Sequence, residues 1–217
     1  MGVQEGAAVM VTVTGISFVG SFASIELDNG DRLFLSKKDL AGLGLSDGMA
    51  VEEEEIYRAV RNCQYPKALG IAVSMLASRP CSSMEIIQKL RRGHFMEEIT
   101  ELVIYKLEKE GLLNDKEFSE QWAGYRCGTK YGRHRIMREL KQKGIPEEMA
   151  RAAVDAIDPE LEAQSALRQA VSAWKKMKPG DDKRKSRQKV INTLIRKGYG
   201  WDTAKNACDA AEHLDNS

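Results

Sequence analysis

The chain has 217 residues, a formal net charge of +1, 42% hydrophobic and 30% charged residues, and 6% aromatics. It is long enough to bury one or two cores and too apolar to be disordered by default. No segment approaches the ~18 uninterrupted apolar residues of a membrane helix, and the start MGVQEGAAVMVTV has neither the basic end nor the apolar run of a secretory signal, so a cytoplasmic protein with no membrane contact is expected.

The first segments read as β. Residues 9–13 (VMVTV) and 22–27 (FASIEL) place β-branched and apolar side chains at near-alternating positions, Asp28-Asn29-Gly30 supplies a tight turn, and residues 32–35 (RLFL) are apolar enough to pair back. A hairpin or three-stranded sheet is expected. Ser36 is placed to cap a short helix ending at Leu43, Gly42, Gly44 and Gly48 interrupt, and helical character resumes over residues 51–61. A domain boundary is expected near residues 62–66, which end at Pro66.

From Tyr65 onward, glycine and proline are sparse, and apolar residues recur at three- and four-residue spacing, predicting helices throughout. The pattern also repeats. Without gaps, Ile86, Leu90, Phe95 and Ile99 fall on Ile136, Leu140, Ile145 and Met149; a second shift places Ile136, Leu140, Gly144 and Ile145 on Val190, Leu194, Gly198 and Tyr199. In each copy an apolar i, i+4 pair closes a helix, a glycine allows the left-handed exit, and an apolar residue plugs the corner. In the first copy Gly93 comes one residue early and leaves His94 at that place.

With a preceding helical stretch for each copy (68–79, 116–127, 161–177), the expected architecture is mainly α: tandem three-helix repeats forming an elongated array, with a small N-terminal β-rich element. The expected divisions are 1–62 for the β region with its short helices, then 65–113, 114–158 and 159–213 for the three repeats.

The chain has no phosphate-binding G-x-x-x-x-G-K-[ST], no dinucleotide G-x-G-x-x-G, no H-E-x-x-H and no G-x-S-x-G, and His94, His134 and His213 are far apart in sequence. Glu97-Glu98 and Glu147-Glu148 open helices, where carboxylates complement the macrodipole. Cys63, Cys81, Cys127 and Cys208 form no C-x-x-C pair, and Cys127 with His134 would supply only half of a tetrahedral site. The chain is therefore expected to be no enzyme and to hold no cofactor, metal or disulfide.

The candidate binding residues are basic. Arg126, Lys130, Arg133, Arg135, Arg138, Lys141 and Lys143 are offset within their own segment by Glu139 alone. If Ile136, Met137 and Leu140 face the core, the 100° turn per residue points Arg138 and Gln142 away from it, with Arg135 and Lys141 on the flanks. A second cluster runs through Lys175, Lys176, Lys178, Lys183, Arg184, Lys185, Arg187 and Lys189, and Lys89, Arg91 and Arg92 echo it in the first repeat. The site is expected to comprise Lys130, Arg133, Arg135, Arg138, Lys141, Lys143, Lys183, Arg184, Lys185, Arg187 and Lys189, meeting phosphate or an acidic protein face. Phe118, Trp122, Trp174 and Trp201 read as packing residues.

The ordered set Leu113-Asn114-Asp115, Phe118-Ser119-Glu120, Lys130-Tyr131-Gly132, Arg135-Ile136, Glu139-Leu140 and Lys143-Gly144-Ile145 resembles the RecX family, and the resemblance extends over roughly residues 65–213. It departs at Gly93-His94, where the family has a Lys-Gly exit, and at Ser119, where alanine is common. The resemblance implies docking on the DNA-bound RecA filament and inhibition or tuning of strand exchange, ATP hydrolysis and coprotease activity. The RecA filament on DNA is thus the expected partner, with weak direct DNA contact and a monomeric state. The competing reading is a helical module that binds DNA or RNA without RecA.

Overall fold

A computed structural model describes residues 8–177 and 182–215. The chain is mainly α with a small N-terminal antiparallel sheet, and divides into two compact units.

The first unit comprises the residues up to Cys81 together with Glu85–Leu113. Its strands are β1 (Met10–Val19), β2 (Phe22–Leu27), β3 (Arg32–Ser36) and β4 (Ala50–Glu52). The sheet order is β3-β2-β1-β4, so it has one more strand than the expected three. Only Ala50, Val51 and Glu52 form β4, pairing with Thr12, Val11 and Met10. Three residues between a glycine break and a helix carry too little alternation to be read as a strand.

Alternation buries Val11, Val13, Ala23, Ile25, Leu27, Leu33 and Leu35 on one face. The Ser36 hydroxyl accepts from Asp39 N and starts α1 (Lys37–Leu43), which Gly44 ends in the left-handed conformation (φ 64°). Leu40 closes the sheet core together with Ile56 and Val60 of α2 (Glu53–Ser78).

Helix α2 runs through residues 62–66 unbroken, with Pro66 inside it, so the two helical stretches expected on either side of that point are one helix. Packing on both halves outweighs the hydrogen bond lost at proline. The N-terminal half lies on the sheet; Ala68 and Ala72 of the C-terminal half pack with α3 (Ser83–Arg92) and α4 (Glu97–Lys109) around Ile86, Leu90, Ile99, Val103 and Leu107. Gln64 joins the halves: Nε2 donates to Phe34 O (2.7 Å) and Oε1 accepts from Met96 N (2.8 Å). His94 takes the left-handed exit (φ 57°) expected of a glycine, and its ring stacks on Phe34 at 4.4 Å between centroids.

The second unit comprises Ser82–Met84 and residues from Asn114 onward. Helices α5 (Asp115–Thr129), α6 (Arg133–Gln142) and α7 (Glu147–Asp155) enclose Phe118, Ala123, Cys127, Ile136, Leu140, Ile145 and Ala150. Helices α8 (Pro159–Trp174), α9 (Lys183–Arg196) and α10 (Trp201–Asp215) enclose Ala166, Ala170, Trp174, Val190, Leu194, Tyr199 and Cys208. Asn114, Asp158 and Asp182 cap α5, α8 and α9 through their side chains.

Candidate functional site

The second unit repeats one joint. In the sequence register, residue 82 corresponds to 132, and the corners 143–144 and 197–198 correspond to each other. At the first joint Ser82 Oγ donates to Lys143 O (2.6 Å), and a Cβ on Gly144 (φ 78°) would overlap Met84. At the second, Gly132 N donates to Lys197 O (3.1 Å) and His134 N to Gly198 O (3.0 Å). A Cβ on Gly132 would overlap Tyr199 N, and one on Gly198 (φ 90°) would lie 2.5 Å from Arg135 Cβ. The start of a middle helix thus seats on the next repeat's glycine corner, through the Ser82 and Met84 side chains at the first joint and through direct backbone contact between Gly132 and Gly198 at the second.

At this joint Arg133, one of the expected binding residues, is engaged within the chain. Its Nε lies 2.7 Å from Glu162 Oε2, Nη1 donates to Val154 O (3.0 Å), Nη2 donates to Ile157 O (2.6 Å), and its own N–H donates to Glu162 Oε1. Sequence proximity missed Glu162, 29 residues away. Arg187 is likewise used within its repeat, on Asp209 and Glu212 of α10, and Lys141 reaches Glu147 at 3.0 Å. Glu139 is therefore not the only acid that offsets the central cluster.

Between α5 and α6, Glu139 accepts two bonds of 2.6 Å from Arg126 and one of 3.0 Å from Arg135. Burial opposes ionisation of Glu139, but the two guanidiniums win and hold its carboxyl below the usual range. The Tyr131 ring lies against the same arginines, 4.1 Å from Arg126 Cζ and 3.9 Å from Arg135 Cζ. Lys143 Nζ sits 4.2 Å from the Trp122 ring, which stacks on Phe118. The expected packing role of Phe118, Trp122 and Trp174 agrees with their positions in or against the cores. Trp201 does not: it is 56% exposed at the start of α10, where Tyr199 fills the corner instead.

The remaining expected cations face outward. Lys130, Arg138, Lys183, Arg184, Lys185 and Lys189 are exposed. Lys183, Arg184 and Lys185 occupy the first turn of α9, which holds no acidic residue, and the N-cap Asp182 precedes them. Cations at a helix N-terminus oppose the macrodipole, so this placement is unfavourable for the helix alone. Lys178 lies outside the described residues.

One residue the charge-run reading passed over is Lys197. At the C-cap of α9 it is half-buried, and its ammonium donates to Gln169 Oε1. Burial pushes its pKa down, and the charges of Lys130, Lys176 and Arg135 push it further. Its signal in sequence was the recurrence of Lys143-Gly144 as Lys197-Gly198, a corner motif and not a run of charge.

Cys127 is buried, with its thiol pushed up to about 11 chiefly by desolvation, while His134 is exposed. Among the described residues no group of three or more His, Cys, Asp or Glu side chains could hold a metal ion, and no helix is long and apolar enough to cross a membrane.

The family models for the second and third three-helix domains of RecX match residues 114–154 and 160–208. The regulatory protein RecX of Amycolatopsis mediterranei is 36% identical over 137 residues, covering 63% of this chain and 78% of that protein. The regulatory protein RecX of Listeria monocytogenes is 28% identical over 189 residues, covering 87% and 70%. Among solved structures, a crystal structure of regulatory protein RecX aligns with a TM-score of 0.64 at 23% identity, covering 92% of this chain and 99% of that one. That of RecX from Lactobacillus salivarius aligns with a TM-score of 0.62, covering 68% and 96%.

Proposed function

The chain belongs to the RecX family of regulatory proteins, and we propose that what it regulates is the RecA recombinase, by docking on the DNA-bound filament and restraining its ATPase, strand-exchange and coprotease activities. The role needs no catalytic step, cofactor or metal from this chain. It fits a cytoplasmic monomer whose repeats each add a modest contact, so that several weak contacts sum to useful affinity.

The observation that carries the docking surface is the first turn of α9. Lys183, Arg184 and Lys185 stand exposed where the helix dipole disfavours them, which supports a role for their charge toward a partner. Arg138 is exposed on α6, away from buried Ile136 and Leu140. These four, with Lys189, are the surface offered to an acidic protein face or to phosphates along the filament.

The test pairs binding with function. RecA-coated and bare single-stranded DNA are titrated with the wild type and with a variant carrying Arg138→Glu, Lys183→Glu, Arg184→Glu and Lys185→Glu, while the DNA-dependent ATPase is followed. Tighter binding to coated DNA, with ATPase inhibition that the variant loses by at least about tenfold at an unchanged circular dichroism spectrum, is the expected result. Strong binding to bare DNA without any effect on RecA would instead establish a nucleic-acid module acting alone. Unchanged inhibition by the variant would remove this surface from the interface.

A further inference from the structure

Lys130, Arg135 and Lys197 are brought together around Tyr131 with little to neutralise them, and Lys176 lies near enough for its charge to act on Lys197. Lys130 is the C-cap of α5, Arg135 lies in the first turn of α6, Lys176 follows the end of α8, and Lys197 is the C-cap of α9. Bonds between the elements fix Lys130, Arg135 and Lys197. Gly132 N on Lys197 O joins the start of α6 to the end of α9. From α8, Arg168 donates to Gly128 O (3.0 Å), and Gln169 receives the Lys197 ammonium and donates to Thr129 O (3.5 Å), directly before Lys130.

Among the described residues no carboxylate bonds to Lys130, Lys176 or Lys197, and Arg135 shares the single Glu139 with Arg126. The nearest acceptor for Lys197 is a neutral amide. Three of these lysines stand at helix C-termini, whose partial negative charge lets the cluster fold without a counter-ion. It does not remove the repulsion: burial first, and then the charges of Lys130, Lys176 and Arg135, lower the pKa of Lys197.

We infer that Lys130, Lys176 and Lys197, with Arg135, form a binding site for a phosphate oxyanion at the joint between the second and third repeats, and that the bound anion tightens this joint. A multiply charged oxyanion with several acceptor oxygens can take one charge-assisted bond from each side chain, whereas a lone carboxylate brings one charge. Arg126 and Arg135 already lie against the Tyr131 ring, with Cζ 4.1 and 3.9 Å from its centroid, and the lysines offer charge-assisted bonds to phosphate oxygens rather than to a base. The phosphate is either free, as inorganic phosphate or pyrophosphate, or the backbone of a nucleic acid. The site stands on its own geometry, whatever the α9 surface binds.

The experiment is thermal unfolding of the full chain in pyrophosphate against chloride at matched ionic strength, for the wild type, Lys197→Met and Lys130→Ala. A saturable rise of the wild-type midpoint, of about 3 to 6 °C at ten times the dissociation constant, is expected. Both variants should lose most of that rise, while Lys197→Met in chloride stays as stable as the wild type or gains, because it removes repulsion. An equal rise in all three proteins means only general salting-out and overturns the site. A second arm adds a single-stranded oligothymidylate. Binding that pyrophosphate displaces and Lys197→Met weakens at least tenfold places a nucleic-acid backbone in the site. Oligothymidylate binding indifferent to both, beside a saturable pyrophosphate effect, makes free phosphate its ligand.

Discussion

Arg133 and Glu162 lock the second and third repeats together, their side chains meeting at 2.7 Å with only 27% and 9% of their surfaces exposed. The guanidinium also donates to Val154 O and Ile157 O, in the last turn of α7 and just beyond it. Removing either partner strands a desolvated charge. Arg133→Ala and Glu162→Ala should each cost about 3 to 5 kcal/mol in urea unfolding, and the double variant should cost clearly less than their sum. Additive losses would show that the two act separately.

The glycine corners should separate strain from contact. Gly30 has φ 92° with nothing near its absent Cβ, whereas Gly198 has φ 90° with Arg135 Cβ in the way. Gly30→Ala should cost about 1 to 2 kcal/mol for the left-handed backbone alone. Gly198→Ala should cost at least about 1 kcal/mol more through displacement of α6. Equal midpoints for the two variants would mean that the joint yields freely.

His94 sets two effects against each other. A non-glycine residue in the left-handed region costs about 1 to 2 kcal/mol, and the ring contact with Phe34 returns about 0.5 to 1.5 kcal/mol. His94→Gly should therefore change stability by less than about 1 kcal/mol, while His94→Ala, which keeps the strain and loses the stack, should be the worse of the two. The denaturation midpoints of the pair decide it.

Glu139 makes stability depend on acid. Its folded pKa lies below the ordinary 4.5 because Arg126 and Arg135 outweigh burial, so the unfolded chain takes up its proton first as pH falls. The stabilisation is complete above about pH 5 and is lost as pH drops through the folded value. Glu139→Gln should be less stable than the wild type at pH 7, and the gap should narrow below pH 4. A constant gap across that range would show that ionisation of Glu139 contributes nothing.

Tyr199 acts at the other end of the scale. Burial pushes its hydroxyl up to about 12, against the hydrogen bond it shares with Ser165 at 2.9 Å. The unfolded chain therefore releases this proton first. The contribution is whole below about pH 10 and fades as pH rises toward the folded value, so Tyr199→Phe should flatten the alkaline limb of the stability profile. An unaltered limb would locate alkaline sensitivity elsewhere.

The sequence alone determined the elements that rest on local chemistry and periodicity: the alternation that makes strands of residues 22–27 and 32–35, the Ser36 cap, and the recurrence of Ile136 and Leu140 as Val190 and Leu194 with a left-handed corner behind each pair. It also singled out the cations, because charge is visible in any order of residues. Only the tertiary structure decided what each cation does, since an ion pair forms across space and not along the chain. Arg133 and Arg187 turn to acids 29 and 22 to 25 residues away and serve the fold, while Lys183, Arg184 and Lys185 stay exposed. Lys197, an ordinary corner lysine in the sequence, comes up beside the 129–132 segment and Lys130 because the glycines at 132 and 198 let two backbones touch.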